Sequence, residues 1–197
     1  MSGKAIVIGL TALPSGGKDY TADILVKKYH FYKVSPGEVI REKIRDMGIK
    51  SFDRKAQQDL QDKLRKKYGK YYVMELCYQK IRKSGKKRIV IPGIRFPFDI
   101  SFYKKKYDGR FINIYIDAPV KIRYRRAVKR QREDAPKSYA QFLKEDERER
   151  MMFKLEKTKD LSDIRINNSV DNSNDLKKDI EVVMSYLLSN TASSISR

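Results

Sequence analysis

The part of the chain that most restricts its fold is the turn ALPSGGKD at residues 12–19, which is rich in Gly, Pro and Ser. It follows the run KAIVIGL at residues 4–10, whose apolar and β-branched residues are typical of a strand buried on both faces. Residues 19–29 then carry apolar side chains at helical spacing. A buried strand, a glycine-rich turn and a helix in this order form the setting in which backbone N–H groups cradle phosphate.

The rest of the chain alternates between strands and helices, which predicts an α/β fold with a parallel sheet covered on both faces. After the first helix, the predicted elements are a weak strand at 31–35, helices at about 37–47 and 53–68, strands at 88–94 and 111–118 that are each followed by a basic helical stretch, a strand at 163–167, and a last helix at 176–188. A chain of 197 residues is long enough for one buried core. We therefore expect one domain at 1–189 and a flexible polar tail at 190–197.

The charge balance is strongly basic, since 45 Lys and Arg against 25 Asp and Glu give a formal net charge of +20. Such a charge favours anionic ligands, of which nucleotides and nucleic acids are both examples. Residues 103–132 concentrate the excess, either as a binding face or as a solvated surface. The single cysteine, Cys77, excludes an intramolecular disulfide, and no stretch has the character of a membrane span or a secretory leader. We expect a soluble, cytoplasmic protein that does not contact membranes.

The residues of the turn have the chemistry of a phosphate-binding loop. Gly16 and Gly17 allow the backbone to approach phosphate oxygens, and Lys18 supplies a mobile cation for the β and γ phosphates. Ala12 replaces the usual first Gly of such a loop, and Asp19 replaces the usual hydroxyl residue that holds magnesium. Asp19 is therefore either the metal ligand or a helix cap. The expected nucleotide contacts are Leu13, Pro14, Ser15, Gly16, Gly17, Lys18, Asp19 and Tyr20. Tyr20 would pack either on the donor base or in the core.

Several segments carry a resemblance to known kinases. GKDYTADIL at 17–25 closely resembles the loop of P-loop deoxynucleoside monophosphate kinases of bacteriophages, in which the Asp is usual. RKAQQDLQDKLRKKYG at 54–69 and IRFPFDISFYKKKY at 94–107 are similar to further segments of that group. GEVIREKI at 37–44 and the arginine-rich stretch at 123–149 are similar to archaeal adenylate-kinase-like and dephospho-CoA-kinase-like proteins. Together these segments point to the P-loop monophosphate kinase superfamily.

The resemblance implies a fold, a donor and a set of catalytic residues. The fold would be the P-loop NTPase three-layer sandwich, with acceptor-binding helices at about 36–84 and a helical lid at about 123–140. The cofactors would be ATP and Mg²⁺, with Lys18 catalytic. By the resemblance, the arginines that reach the transferring phosphoryl group or the donor when the lid closes are Arg126, Arg130 and Arg132. Phosphoryl transfer depends on positioning and positive charge, to which arginine is suited. A solvated basic helix is the alternative interpretation of the same stretch.

The acceptor would be held by a second set of residues. Arg41 and Arg95 are expected to grip its phosphate bidentately, and Glu38 to contact its sugar or base. The alternatives are that Arg41 is a surface charge and that Glu38 begins a helix. Weaker candidates for the same side are Arg54, Gln58 and Arg65.

The sequence departs from the superfamily pattern just before GIR at 93–95. An acidic residue is usual at that position, where it helps to hold the metal or orient the acceptor, but this chain has Pro92. Its role would fall to Asp99, Asp117 or Asp19, and the sequence does not choose among them.

The expected function is a Mg-ATP-dependent kinase of a (deoxy)nucleoside monophosphate, acting as a monomer or homodimer. One alternative keeps the same machinery and phosphorylates a hydroxyl of dephospho-CoA. An alternative of another class is a nucleic-acid-associated P-loop ATPase, in which the basic stretch at 104–132 grips RNA or DNA.

Overall fold

The sheet is built from short apolar runs that are buried on both faces. The computed structural model describes residues 5–49, 54–131, 135–169 and 173–193. The strands are β1 (Ile6–Thr11), β2 (Tyr32–Lys33), β3 (Arg88–Pro92), β4 (Phe111–Asp117) and β5 (Ile164–Asn167). They form one parallel sheet in the order β2-β3-β1-β4-β5. The predicted α/β class with a parallel sheet is confirmed.

Helices connect the strands and cover both faces of the sheet. They are α1 (Lys18–Tyr29), α2 (Pro36–Asp46), α3 (Arg54–Tyr68), α4 (Tyr72–Ser84), α5 (Pro97–Tyr107), α6 (Val120–Lys129), α7 (Tyr139–Phe153), α8 (Leu155–Asp160) and α9 (Ser173–Ser193). The sequence pattern predicts α1, α2, α3 and α9 and places basic helical stretches where α5 and α6 lie, but it names no helix at α4. Helix α9 continues to Ser193, so part of the expected tail is helical, and residues 194–197 lie outside the described part of the chain. No helix within the described ranges is both long enough and apolar enough to cross a membrane.

The two larger hydrophobic clusters lie on opposite faces of the sheet because alternate residues of β1 point to opposite faces, and a smaller third cluster contains Leu13 and Tyr115. Val7 packs in the cluster that α2, α4 and α5 cover, whereas Ile8 and Leu10 pack in the cluster that α1 and α9 cover. Cys77 is fully buried in the first cluster, where burial raises the pKa of its thiol to about 12. Tyr20 packs against the second cluster, in line with the core alternative for this residue.

The carboxyl ends of the strands meet at one edge of the sheet. Leu10 pairs with Pro92 of β3 and with Ile114 of β4. The backbone N–H groups of Gly93 and Ile94 donate to the carbonyl of Leu10 at 2.9 and 3.2 Å, which brings the loop after β3 against the end of β1. Open parallel sheets bind ligands at this edge, where the loops after their strands gather.

Candidate phosphate-binding site

The turn between β1 and α1 requires glycine at two positions. Gly17 begins α1 with a left-handed φ of 114°, and the N–H of Gly16 donates to the carbonyl of Leu13 at 2.9 Å. A Cβ at Gly16 would lie 2.9 Å from the carbonyl oxygen of Leu13, and a Cβ at Gly17 would lie 2.5 Å from Nδ2 of Asn168. Neither position has room for a side chain, as is typical of a backbone loop that cradles phosphate.

Lys18 and Asp19 lie in the first turn of α1 and contact each other. Nζ of Lys18 lies 2.8 Å from Oδ2 of Asp19, whose side chain is 55% exposed. Burial lowers the pKa of Lys18, Asp19 partly offsets this, and the positive charges of Arg95 and Arg130 lower it further. Lys18 therefore lies in a cationic site, and an anion bound there would stabilise its protonated form.

Arg95 and Arg130 reach the surroundings of Lys18 from two different loops. Arg95 follows β3, and Arg130 directly follows α6. The positive charge of each contributes to lowering the pKa of Lys18, and Arg95 lies at the carboxyl edge of the sheet because it follows β3. Arg132 lies outside the described residues, and its catalytic role stays a prediction.

Arg126 lies one turn before Arg130 and contacts the glycine loop through Asn168. Its Nη2 donates to Oδ1 of Asn168 at 3.1 Å and to the carbonyl of Asn168 at 3.4 Å. Nδ2 of Asn168 in turn donates to the carbonyl of Gly16 at 2.9 Å. The sequence reasoning missed Asn168, although a polar residue directly after the last strand would be a signal because it lies at the ligand-binding edge.

Arg123 shares a helix with Arg126 but belongs to the core. It is fully buried, and its Nη1 and Nη2 both donate to the carboxylate of Asp146 on α7, the second at 2.8 Å. Its Nε donates to the carbonyl of Ala118 at 2.9 Å. The first half of α6 is therefore part of the body of the protein, although the predicted lid begins at residue 123.

Another group of residues lies on the acceptor side, between α3 and the loop after β3. The guanidinium of Arg95 lies 4.7 Å from the ring centre of Phe153, and that of Arg65 lies 4.8 Å from the ring centre of Phe96. Burial lowers the pKa of Arg65, and the nearby carboxylates, Asp99 first, partly offset this. Asp99 lies in the first turn of α5, directly after the loop that carries Arg95. The side chains of Arg54 and Gln58 lie outside the described part of the chain.

The remaining acceptor candidates, Glu38 and Arg41, lie on α2. Glu38 forms a capping box with Ser35, since each backbone N–H donates to the side chain of the other, at 3.1 and 3.3 Å. Nη1 of Arg41 donates to Oε1 of Gln57 at 3.3 Å, which joins α2 to α3. Glu38 thus begins the helix, and a contact of either residue with an acceptor stays a prediction.

Three carboxylates are the alternatives for the acidic role that Pro92 cannot fill. Oδ2 of Asp99 accepts the backbone N–H groups of Arg95 and Phe96 at 3.0 Å each, and burial raises the pKa of this carboxyl. Asp117 forms an ion pair of 2.6 Å with Lys159. Asp19 is the exposed carboxylate at the loop itself.

A magnesium site made only of protein ligands is not found here. Within the described ranges, no group of three or more His, Cys, Asp or Glu residues is arranged to hold a metal ion. Nucleotide-bound Mg²⁺ usually takes one or two carboxylates and completes its shell with phosphate oxygens and water. Asp19 fits that mode of binding because it is exposed beside Lys18.

Comparison with known proteins identifies relatives over most of the chain. The sequence is 36% identical over 149 residues to a UPF0200 protein of Methanothermobacter thermautotrophicus, covering 73% of this chain and 72% of that protein. It is 31% identical over 186 residues to a UPF0200 protein of Pyrococcus abyssi, covering 93% of this chain and 97% of the relative. No family model matches the chain.

Solved structures share the fold at low sequence identity. TT1252 of Thermus thermophilus aligns with a TM-score of 0.61 and 19% identity, covering 93% of this chain and 98% of that one. A shikimate kinase of Bacteroides thetaiotaomicron aligns with a TM-score of 0.57 and 14% identity, covering 92% and 98%. The fold is thus the α/β P-loop NTPase fold, as predicted. By its sequence identity to these relatives, of which it covers 72% and 97%, the chain belongs to the UPF0200 family.

Proposed function

We propose that this protein is a Mg-ATP-dependent kinase that transfers the γ-phosphoryl group to a (deoxy)nucleoside monophosphate. The observation that carries the proposal is the glycine loop that joins β1 to α1, which ends at Lys18 and to which Asn168 links Arg126. Phosphoryl transfer between two phosphates brings several negative charges together, and positioned cations lower that barrier. The fold shared with solved shikimate kinases supports a small-molecule acceptor.

The donor side uses the loop and α6. The backbone at Gly16 and Gly17 would receive the phosphates of ATP, with Lys18 at the β and γ positions. Arg126 and Arg130 would add positive charge from α6, and closure of the lid after Arg130 would exclude water that otherwise hydrolyses the donor. Asp19 would hold Mg²⁺, which when bound neutralises charge on the phosphate oxygens.

The acceptor side uses Arg95 and the groups around it. A phosphate on Arg95 would lie at the same edge of the sheet as Lys18, because Arg95 follows β3, Lys18 follows the loop after β1, and the two strands pair in parallel. The rings of Phe96 and Phe98 stack at 4.6 Å beside it and offer an apolar wall. Nε of Arg65 and Oδ1 of Asp99 are buried and have no hydrogen-bond partner within the described residues. An unpaired hydrogen-bond donor and an unpaired hydrogen-bond acceptor at this position favour a phosphoryl acceptor that carries polar groups, such as a nucleobase.

The proposal is tested by measuring ADP formation from Mg-ATP with a panel of acceptors. The panel contains the ribo- and deoxynucleoside monophosphates, dephospho-CoA and shikimate. We expect a nucleoside monophosphate to raise ADP formation and to be recovered as the diphosphate. Lys18→Ala should lower that rate by about a hundredfold or more, because it removes a cation from the transferring phosphates.

The matched control is Lys27→Ala, which removes an exposed lysine from the same helix. It should leave the rate unchanged. If only dephospho-CoA or only shikimate were phosphorylated, the proposed kinase activity would stand and the proposed acceptor would be wrong. If no acceptor raised ADP formation, or if Lys18→Ala were as active as Lys27→Ala, the kinase proposal would be wrong.

A further inference from the structure

We propose that Asn168 is a positioning residue that joins the phosphate-binding loop to α6 and sets the position of Arg126 relative to the donor phosphates. This inference rests on the proposed function, since it concerns the same donor site. It adds a residue from the loop after β5, a part of the chain to which the sequence motifs assign no role.

The first observation is that every polar group of Asn168 is used between functional elements. Its side chain accepts from Arg126 and donates to the carbonyl of Gly16, at 3.1 and 2.9 Å. Its backbone N–H donates to the carbonyl of Asp117 at 2.6 Å, which anchors the residue at the end of β4. The side chain is buried, with the whole residue 6% exposed. Such a network holds its members in one arrangement.

The second observation is steric. Nδ2 of Asn168 lies only 2.5 Å from the point where a Cβ of residue 17 would stand. The amide therefore packs directly on the glycine that begins α1 and hydrogen-bonds the glycine before it. A change at residue 168 would therefore alter the turn that receives the phosphates, although Gly16 and Asn168 are 152 positions apart in the chain.

The third observation concerns charge. An amide binds the guanidinium of Arg126 without adding a negative charge of its own, so this contact orients the arginine without neutralising it. A carboxylate in the same place would offset the positive charge of the arginine. Asn168 thus fits the function of orienting a cation toward an anionic ligand, in contrast to Asp146, which neutralises the buried Arg123.

The experiment measures Mg-ATP binding by titration calorimetry and steady-state kinetics of the full chain. Asn168→Ala should weaken ATP binding about tenfold, because hydrogen bonds to both the loop and Arg126 are lost. Asn168→Asp keeps the shape and the acceptor atom but loses the donor to Gly16, and it should weaken binding at least as much. The KM for ATP should rise and kcat should fall, while the KM for the acceptor stays unchanged.

A double-mutant cycle with Arg126→Ala tests whether Arg126 acts through Asn168. If it does, the double variant should be about tenfold weaker than wild type, like each single variant, and not about a hundredfold weaker. Asn167→Ala, at the exposed neighbouring position, is the control and should bind ATP normally. Additive losses in the cycle, or wild-type ATP affinity in a folded Asn168→Ala, would overturn this inference while leaving the kinase intact. Failure of the wild-type chain to bind ATP would overturn the proposed function, and this inference with it.

Discussion

Gly17 combines two constraints that other glycines of this chain carry singly. Its φ of 114° is rarely adopted by residues with a side chain, and its missing Cβ leaves room for the amide of Asn168. Gly109 also has a positive φ, of 72°, but no atom lies within 4 Å of a Cβ built there. The comparison separates the effect of backbone strain from the effect of crowding at the loop.

Gly17→Ala should abolish detectable ATP binding, because the methyl group displaces Asn168 and distorts the turn. It should also lower the free energy of unfolding by more than the roughly 1–2 kcal/mol expected from a left-handed alanine. Gly109→Ala should lose only that amount and bind ATP normally. Calorimetric titration and denaturant unfolding of both variants test this expectation, and equal ATP affinity in the two would contradict it.

Lys18 gives the site a pH dependence whose direction is set by its lowered pKa. ATP prefers the protonated lysine, so affinity should be highest below the folded-state pKa and should fall as pH rises through it. The free energy of unfolding should change in the opposite direction, because the folded state binds fewer protons than the unfolded state in the interval between the lowered pKa and the ordinary one.

The measurement is the dissociation constant for ATP between about pH 7 and 10.5, beside the same series for Lys18→Arg. The arginine stays protonated across this range, so its curve should be flat at alkaline pH. Identical slopes for lysine and arginine would assign the pH dependence to another group.

Helices α6 and α7 are tied together at the scale of elements by the buried pair of Arg123 and Asp146. Asp146 is 5% exposed and also accepts from Arg150 at 3.2 Å, within its own helix. The pair fixes the half of α6 that precedes Arg126, which donates to Asn168 beside the glycine loop. Its contribution therefore concerns the placement of this arginine as well as stability.

Arg123→Ala should lower the free energy of unfolding by about 3–5 kcal/mol, because it leaves the carboxylate of Asp146 buried without its main partner. Arg125→Ala, two positions along the same helix at an exposed site, should cost about 0.5 kcal/mol or less. Chemical denaturation of the two variants provides the measurement. A loss below about 1 kcal/mol for Arg123→Ala would show that the pair contributes little.

The whole molecule carries a formal net charge of +20, and this charge is spread over a small fold. Like charges repel within the folded state, and salt screens them over distances of about 8–10 Å at physiological ionic strength. The melting temperature should therefore rise between about 20 and 300 mM NaCl, where screening increases. The loop before β3 offers a site for changing the charge without breaking an ion pair, at the exposed Lys86.

Lys86→Glu should raise the melting temperature at low salt, because it lowers the net charge by two, and the gain should vanish at high salt. Lys86→Gln, which lowers the net charge by one, should give about half the gain. Thermal scans of the three proteins at both salt concentrations test this. A melting temperature that is independent of salt and of both substitutions would show that repulsion does not limit stability.

The local parts of this protein are readable from its sequence. Residues 4–29 predict strand, loop and helix because apolar periodicity and the backbone freedom of glycine act over a few neighbouring residues. Each end of each predicted strand lies within two residues of the corresponding end of the observed strand. The predicted helix at about 53–68 ends where α3 ends, but the pattern names no helix at α4, although its buried residues lie at helical spacing: Val73, Met74, Cys77 and Ile81.

The tertiary structure alone decides what each charged or polar residue does. Arg123 and Arg126 are three positions apart and share a helical face. Arg123 nevertheless neutralises Asp146 in the core, whereas Arg126 donates to Asn168 beside the glycine loop. Asn168 acquires its contacts only when β5 lies beside β4 and brings its loop to Gly16. By itself the sequence determined the fold class and the glycine-rich turn between the first strand and the first helix, because both depend on local patterns. Which residues meet at the site depends on contacts between elements far apart in the chain, and packing of the sheet and its helices decides those contacts.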